Sequence, residues 1–358
     1  MSGLIRAVID TRALRHNLEV IRRRAAAARV MAVVKANAYG HGLVTTARAL
    51  TDADAFAVAR LEEGIALRSA GVRQPVVLLE GVFTAEQLHS AAEQRLDLVV
   101  HDPLQLELLE AAGNASRFVV WVKIDTGMNR LGFAPAQFPA ALARLRALTP
   151  PPQHIRVMTH LASANERDEG MTRAQLERFR KAIRGLSFHT SIANSAGILG
   201  TLPIEGDWIR PGIALYGASP FADCLGADLG LEPVMTLTTS VIALRRIARG
   251  ETVGYGGTWV APRDATIAIV AGGYGDGVHR SLTPGTTVLV DKRRAPLAGR
   301  VSMDMLAVDV SGLEGVRVGT PVVLWGAGLP VEEQARRAGT IAYELLCSIS
   351  QRVPIEAR

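Results

Sequence analysis

The chain has 358 residues, 48% of them hydrophobic, and a formal net charge of +6, enough to bury a large core and more than a typical single domain uses. No apolar run reaches the roughly 18 to 20 residues that span a bilayer, and Met1-Ser2-Gly3-Leu4-Ile5-Arg6 lacks the charged segment and apolar core of a secretory signal, so a cytoplasmic protein is expected. Cys224 and Cys347 stand in no ligand-like spacing, and the basic residues are scattered without aromatic interleaving, which argues against zinc, a disulfide framework and a nucleic-acid partner.

In chain order, Asp10 is a candidate N-cap for a helix whose solvated face carries Arg22-Arg23-Arg24. Short apolar runs then follow at 30–35, 55–58, 76–79, 96–100, 118–124, 155–160, 187–192 and 208–215. Amphipathic stretches such as 60–70, 84–95 and 171–184 lie between them. Such alternation predicts a parallel (β/α)8 barrel over residues 1–230, with a doubly wound sheet as the competing architecture. Beyond 231 the runs 235–245, 266–270, 286–290, 305–310 and 321–324 are separated by Gly, Pro and Asp turns, and helical patterns return only at 331–337 and 341–349. That texture predicts a mainly β second domain over 231–358.

Lys35 ends the apolar run that begins at Val30 and is followed by a glycine-rich turn. A lysine delivered there by a buried strand is desolvated, which favours the neutral amine and a Schiff base. Lys123, Arg130, His160, Ser195 and Gly212 also fall at or just beyond the carboxyl ends of predicted strands, the face where barrel enzymes build their sites.

The run Lys35-Ala36-Asn37-Ala38-Tyr39-Gly40-His41 resembles the cofactor-lysine motif of the alanine racemase family, whose enzymes use pyridoxal 5'-phosphate. Five further motifs resemble that family in the same order: Lys123 to Arg130, Thr159-His160, Ala193-Asn194-Ser195, Arg210 to Gly217, and Gly299 to Asp304. The likeness runs on to Tyr343-Glu344-Leu345 and Arg352-Val353-Pro354. It implies the same pairing of barrel and β domain, with the first strand near residues 4–9 joining the β domain.

By this resemblance Lys35 holds the cofactor, and Tyr39, Asn194, Ser195, Gly212, Ile213 and Tyr343 bind its phosphate. Arg210, supported by His160, donates to the ring nitrogen. Arg130 reaches the cofactor's phenolic oxygen and the substrate carboxylate, oriented by a carbamylated Lys123. Racemisation needs acid–base groups on both faces of a planar carbanion. Tyr255 is the implied partner of Lys35, with Met303 and Asp304 on the substrate side and Tyr274 in an entrance channel. The resemblance further implies a homodimer in which the second domain completes the other subunit's site. No metal is called for.

The expected activity is interconversion of L-alanine and D-alanine, supplying D-alanine for peptidoglycan or degrading it. Trp259 and Ser302 depart from the commonest motif forms beside the proposed groups, which keeps a broad-specificity racemase open. A pyridoxal-phosphate decarboxylase of similar build usually uses a catalytic cysteine, whereas Cys347 falls in a helical pattern. A non-enzymatic carrier of the single-barrel type lacks a second domain.

Overall fold

A computed structural model describes residues 4–25 and 27–358. The first strand, β1 (Arg6–Ile9), leads into the helix Thr11–Arg24, whose first turn is capped by the Asp10 carboxylate accepting from the backbone of Arg12 and Ala13. Eight parallel strands then close a barrel: β2 (Arg29–Val33), β3 (Ala55–Val58), β4 (Val76–Leu78), β5 (Asp97–Val100), β6 (Val119–Lys123), β7 (His154–Met158), β8 (Thr190–Asn194) and β9 (Trp208–Arg210). Closure comes from β9 pairing with β2, Trp208 opposite Arg29 and Ile209 opposite Val30. Every residue of β3 and β4 is buried. Helices cover the outside while side chains fill the inside, so barrel strands read as continuous apolar runs.

The last barrel strand is shorter than its apolar run. It stops at Arg210, and Ile213–Tyr216 form a 3-10 turn instead of continuing to residue 215. Pro211 cannot donate to a strand ladder, and Gly212 (φ −117°, ψ −94°) lies outside the extended region, so the backbone turns away. Hydrophobicity alone does not register this stop.

The second sheet has the order β15-β14-β17-β10-β1-β18, with β13 added on β10 and β16 on β13. Its members are β10 (Met235–Ile247), β13 (Ala265–Ala271), β14 (Thr287–Val290), β15 (Arg293–Pro296), β16 (Met305–Asp309), β17 (Pro321–Trp325) and β18 (Ile355–Ala357), while β11 (Thr252–Val253) and β12 (Trp259–Val260) form a separate ribbon. Buried and half-buried residues alternate along the first half of β10, the pattern of a sheet with one packed face. β1 pairs antiparallel with β10 and parallel with β18, so both ends of the described chain are built into this sheet.

The final helix, Ala342–Cys347, packs on the turn after β2. Gly40 makes that approach possible, because a Cβ there would lie 2.1 Å from the Leu346 carbonyl oxygen. Among the described residues no helix is long and apolar enough to cross a membrane.

Candidate active site

At the carboxyl end of the barrel strands a cleft of about 460 Å³ is lined by Lys35, Tyr39, Lys123, Arg130, His160, Asn194, Ser195, Arg210, Gly212, Ile213 and Tyr343. The ends of β2, β6, β7, β8 and β9, together with the final helix, thus bring together side chains spread across most of the chain. A larger, more open cavity at the barrel's opposite mouth and an apolar one beside Leu161 contain none of these groups.

Lys35 does not sit on a strand. β2 ends at Val33, and residues 36 to 39 form a left-handed turn with φ of 54°, 53°, 54° and 52°. The lysine is half-buried, not sealed as a buried-strand end would make it. His41, fully buried behind the turn, has its Nδ1 2.8 Å from the Tyr39 carbonyl oxygen and 3.0 Å from that of Ala38. Burial pushes its pKa down to about 4, so the neutral ring donates through Nδ1. The Tyr216 ring lies 4.7 Å from that of Tyr39 and 4.5 Å from that of His41, and its hydroxyl donates to the Val33 carbonyl at 2.9 Å. Neither His41 nor Tyr216 carries a role in the sequence reading, although both lie inside motifs quoted there.

Arg210 is 4% exposed and meets no carboxylate among the described residues. Its guanidinium donates to Ser191 Oγ at 2.5 Å, to the Thr159 and Ile192 carbonyls, and to His160 Nδ1 at 3.4 Å. Those bonds use the two terminal nitrogens and leave Nε without a protein acceptor among the described residues. Burial lowers its pKa to about 10, which still leaves it charged at neutral pH. Guanidinium is only a donor, so the contact requires a neutral His160 with Nδ1 accepting. Burial, then the charges of Arg210, Lys123, Arg130 and Lys35, hold that imidazole well below its usual range.

Lys123 closes β6 and is buried in the cleft wall. Burial, followed by the charges of Arg210 and Arg130 and more weakly Lys35, pushes its ammonium down to about 8. Four cations therefore crowd one cleft, which suits an anionic occupant.

Ser195 Oγ accepts from the backbone N–H of Gly212 at 2.9 Å and of Ala214 at 3.3 Å. Asn194 spends its side chain locally, accepting from Gly197 N and donating to the Leu161 carbonyl. A Cβ at Gly212 would lie 2.4 Å from Tyr39 Oη, so only glycine leaves this cradle open. Burial raises the Tyr343 phenol to about 12 and Tyr39 further, keeping both protonated as donors.

The family models for the alanine racemase N-terminal domain and C-terminal domain match residues 9–220 and 234–357. This chain belongs to the alanine racemase family. It is 51% identical over 348 residues to the alanine racemase of Nitrosococcus oceani, covering 97% of this chain and 98% of that protein. It is 49% identical over 350 residues to the biosynthetic alanine racemase of Escherichia coli K12, covering 98% of each. The crystal structure of the biosynthetic enzyme from Pseudomonas aeruginosa superposes with a TM-score of 0.95 at 49% identity, covering 100% of this chain and 99% of that one. The family depends on pyridoxal 5'-phosphate.

The other predicted residues lie elsewhere in the chain. Tyr255 is 68% exposed, Met303 51% and Tyr274 43%, and none of them lines the cleft, nor does Asp304. Asp304 accepts from Arg352 at 2.7 Å, and Arg352 also pairs with Asp276 at 3.2 Å, tying the turn of Tyr274 to that of Met303. The cleft contains groups that sequence reasoning passed over, among them Glu80, Met158 and Cys347. Cys347 ends its helix at the cleft edge, where burial raises its thiol. Glu80 and Met158 reach the cleft from the ends of β4 and β7 when the barrel closes, and Cys347 only when the final helix docks beside β2.

Proposed function

We infer that this chain interconverts L-alanine and D-alanine with pyridoxal 5'-phosphate, using Lys35 and Tyr255 as its two acid–base groups. The observation that carries the reading is Lys35 in one cleft with a buried arginine that has no carboxylate partner among the described residues. The residues present suit the cofactor. Its phosphate matches the Ile213 backbone and the space left by the missing Cβ of Gly212, with the hydroxyls of Tyr39, Ser195 and Tyr343, and its ring nitrogen matches the unspent Nε of Arg210. When bound, the cofactor withdraws electrons from the substrate's α-carbon and acidifies its hydrogen.

The chain's own groups do the rest. Lys35 supplies the amine for covalent attachment and, once released, a base for the proton on one face of Cα. Arg210 can only donate, so it holds the ring nitrogen unprotonated and keeps charge at Cα instead of spreading it through the ring. Arg130, at the exposed side of the cleft, binds the alanine carboxylate. Lys123 orients Arg130 after its neutral amine has bonded to the carbon of CO2 and lost a proton, which replaces a like charge with an anion. A pKa near 8 gives that amine an accessible neutral fraction.

The second base comes from another subunit. Tyr255 with Tyr274, Met303 and Asp304 belongs to an exposed part of the second domain that also bears Val260 and Met305, more apolar surface than an isolated subunit needs. A homodimer that seats this face over its partner's cleft gives each site both bases. The enzyme acts in the cytoplasm, supplying D-alanine for peptidoglycan.

Incubation of the purified protein with L-alanine in D2O tests the reaction. D-alanine carrying deuterium at Cα is expected, approaching equal amounts of the two enantiomers. Ethylamine as the product, or alanine recovered without deuterium, would overturn it.

A further inference from the structure

The turn that carries Lys35 needs support from outside itself. Ala36, Asn37, Ala38 and Tyr39 all have φ between 52° and 54°. Left-handed backbone crowds the Cβ of an ordinary L-residue against the following carbonyl oxygen, with asparagine more tolerant. Such strain persists only where surrounding contacts hold it. At the far end the contacts are already visible: Asn37 Oδ1 accepts from Leu43 N at 2.9 Å, and His41 grips the Tyr39 carbonyl.

At the lysine end the contact is Glu63. Its Oε1 accepts from Ala36 N, the first amide after Lys35, at 2.6 Å. Its Oε2 accepts from Ala59 N at 2.9 Å and Arg60 N at 3.1 Å, just beyond the end of β3. Glu63 lies in the first turn of the helix Leu61–Ser69 and makes no ion pair among the described residues. Ala36 and Ala59, held by one carboxylate, both line the cleft.

We propose that Glu63 is a positioning residue for Lys35, clamping the first amide of the left-handed turn to the end of the neighbouring barrel strand and so fixing where Nζ stands in the cleft. The inference rests on Lys35 as the cofactor lysine. An ionised carboxylate suits the task because three N–H donors converge on it and it offers only acceptors. Glutamine of the same shape turns an NH2 group toward one set of donors and loses that set.

Three measurements on the holoenzyme test it. Borohydride reduction and peptide mapping of the parental protein should place the pyridoxyl group on Lys35; label on another lysine would overturn this inference together with the assignment beneath it. The Ala36 amide, although its residue is exposed, should exchange slowly in the parent and at least ~10-fold faster in Glu63→Gln. Cofactor-loaded Glu63→Gln should show kcat lowered ~10–100-fold with a KM for alanine little changed, the signature of a misplaced reacting group.

Adding Ala36→Gly, which removes the Cβ penalty at that position, should recover part of the loss. With Lys35 labelled, an unprotected Ala36 amide in the parent overturns the role of Glu63 alone, as does a loaded Glu63→Gln with parental kcat. If Glu63→Gln fails to fold, the parental exchange rate and the double variant decide the matter.

Discussion

At the residue scale, the role proposed for Arg210 is to select, by burial and donor geometry, one reaction among those open to the same cofactor. Its bonds to Ser191, His160 and two carbonyls fix the guanidinium, and among the described residues no acid stands beside it to protonate a ring nitrogen. Arg210→Glu should reverse this, since a carboxylate beside the nitrogen favours the protonated ring. The expected outcome for folded, loaded protein is slower racemisation with pyruvate and pyridoxamine phosphate as new products. Parental racemisation without pyruvate would remove Arg210 from control of the ring nitrogen. Loss of a buried charge that anchors so many acceptors also destabilises, by ~3–5 kcal/mol, so cofactor content is measured first.

At the element scale, the turns after β2 and β9 meet face to face, and two changes probe the meeting. Gly212→Ala places a methyl 2.4 Å from Tyr39 Oη. Its affinity for pyridoxal 5'-phosphate should fall at least ~10-fold, and adding Tyr39→Phe should recover only part, because Cζ remains 3.1 Å away. Full recovery, or no loss in the single variant, would show that the phosphate cradle lies elsewhere. His41 links the same turn to pH. Its folded pKa is about 4 against an ordinary 6.5, so between these values the unfolded chain binds a proton that the folded chain refuses. Stability from this residue therefore rises with pH through that window and is lost on acidification, by up to ~3 kcal/mol. Urea unfolding at pH 6.5 and 4.5 should show the parent losing ~2–3 kcal/mol more than His41→Gln, a contrast that cancels the carboxylates common to both. Equal losses would mean that His41 is protonated in the folded state.

At the scale of the whole molecule, the cleft holds Lys35 while Tyr255 stands exposed on the second domain of the same chain. Mixing inactive Lys35→Ala with inactive Tyr255→Phe under conditions of subunit exchange should regenerate activity, because one of the two sites in each heterodimer then has both native bases. Verified exchange with no activity would show that the bases do not act across subunits. The two faces should also differ in exchange in D2O: Tyr255→Phe should slow α-hydrogen exchange from L-alanine more than from D-alanine. Equal slowing would argue against separate bases.

The apolar runs and their helical spacers determined the alternation that closes as β2 to β9, since strands buried on both faces must be continuously apolar. The motifs around Lys35, Arg130, Asn194 and Arg210 identified the family through their likeness and their order along the chain, which a local residue pattern carries by itself. Local pattern could not stop β9 at Arg210 or turn residues 36 to 39 left-handed, for both depend on partners far along the chain. Nor does a buried arginine differ from a surface one in sequence; only closure of the barrel puts Arg210 against Ser191 and His160. The tertiary structure likewise decided that Glu63 meets Ala36 and that Cys347 reaches the cleft, because a contact between distant segments exists only once both are packed.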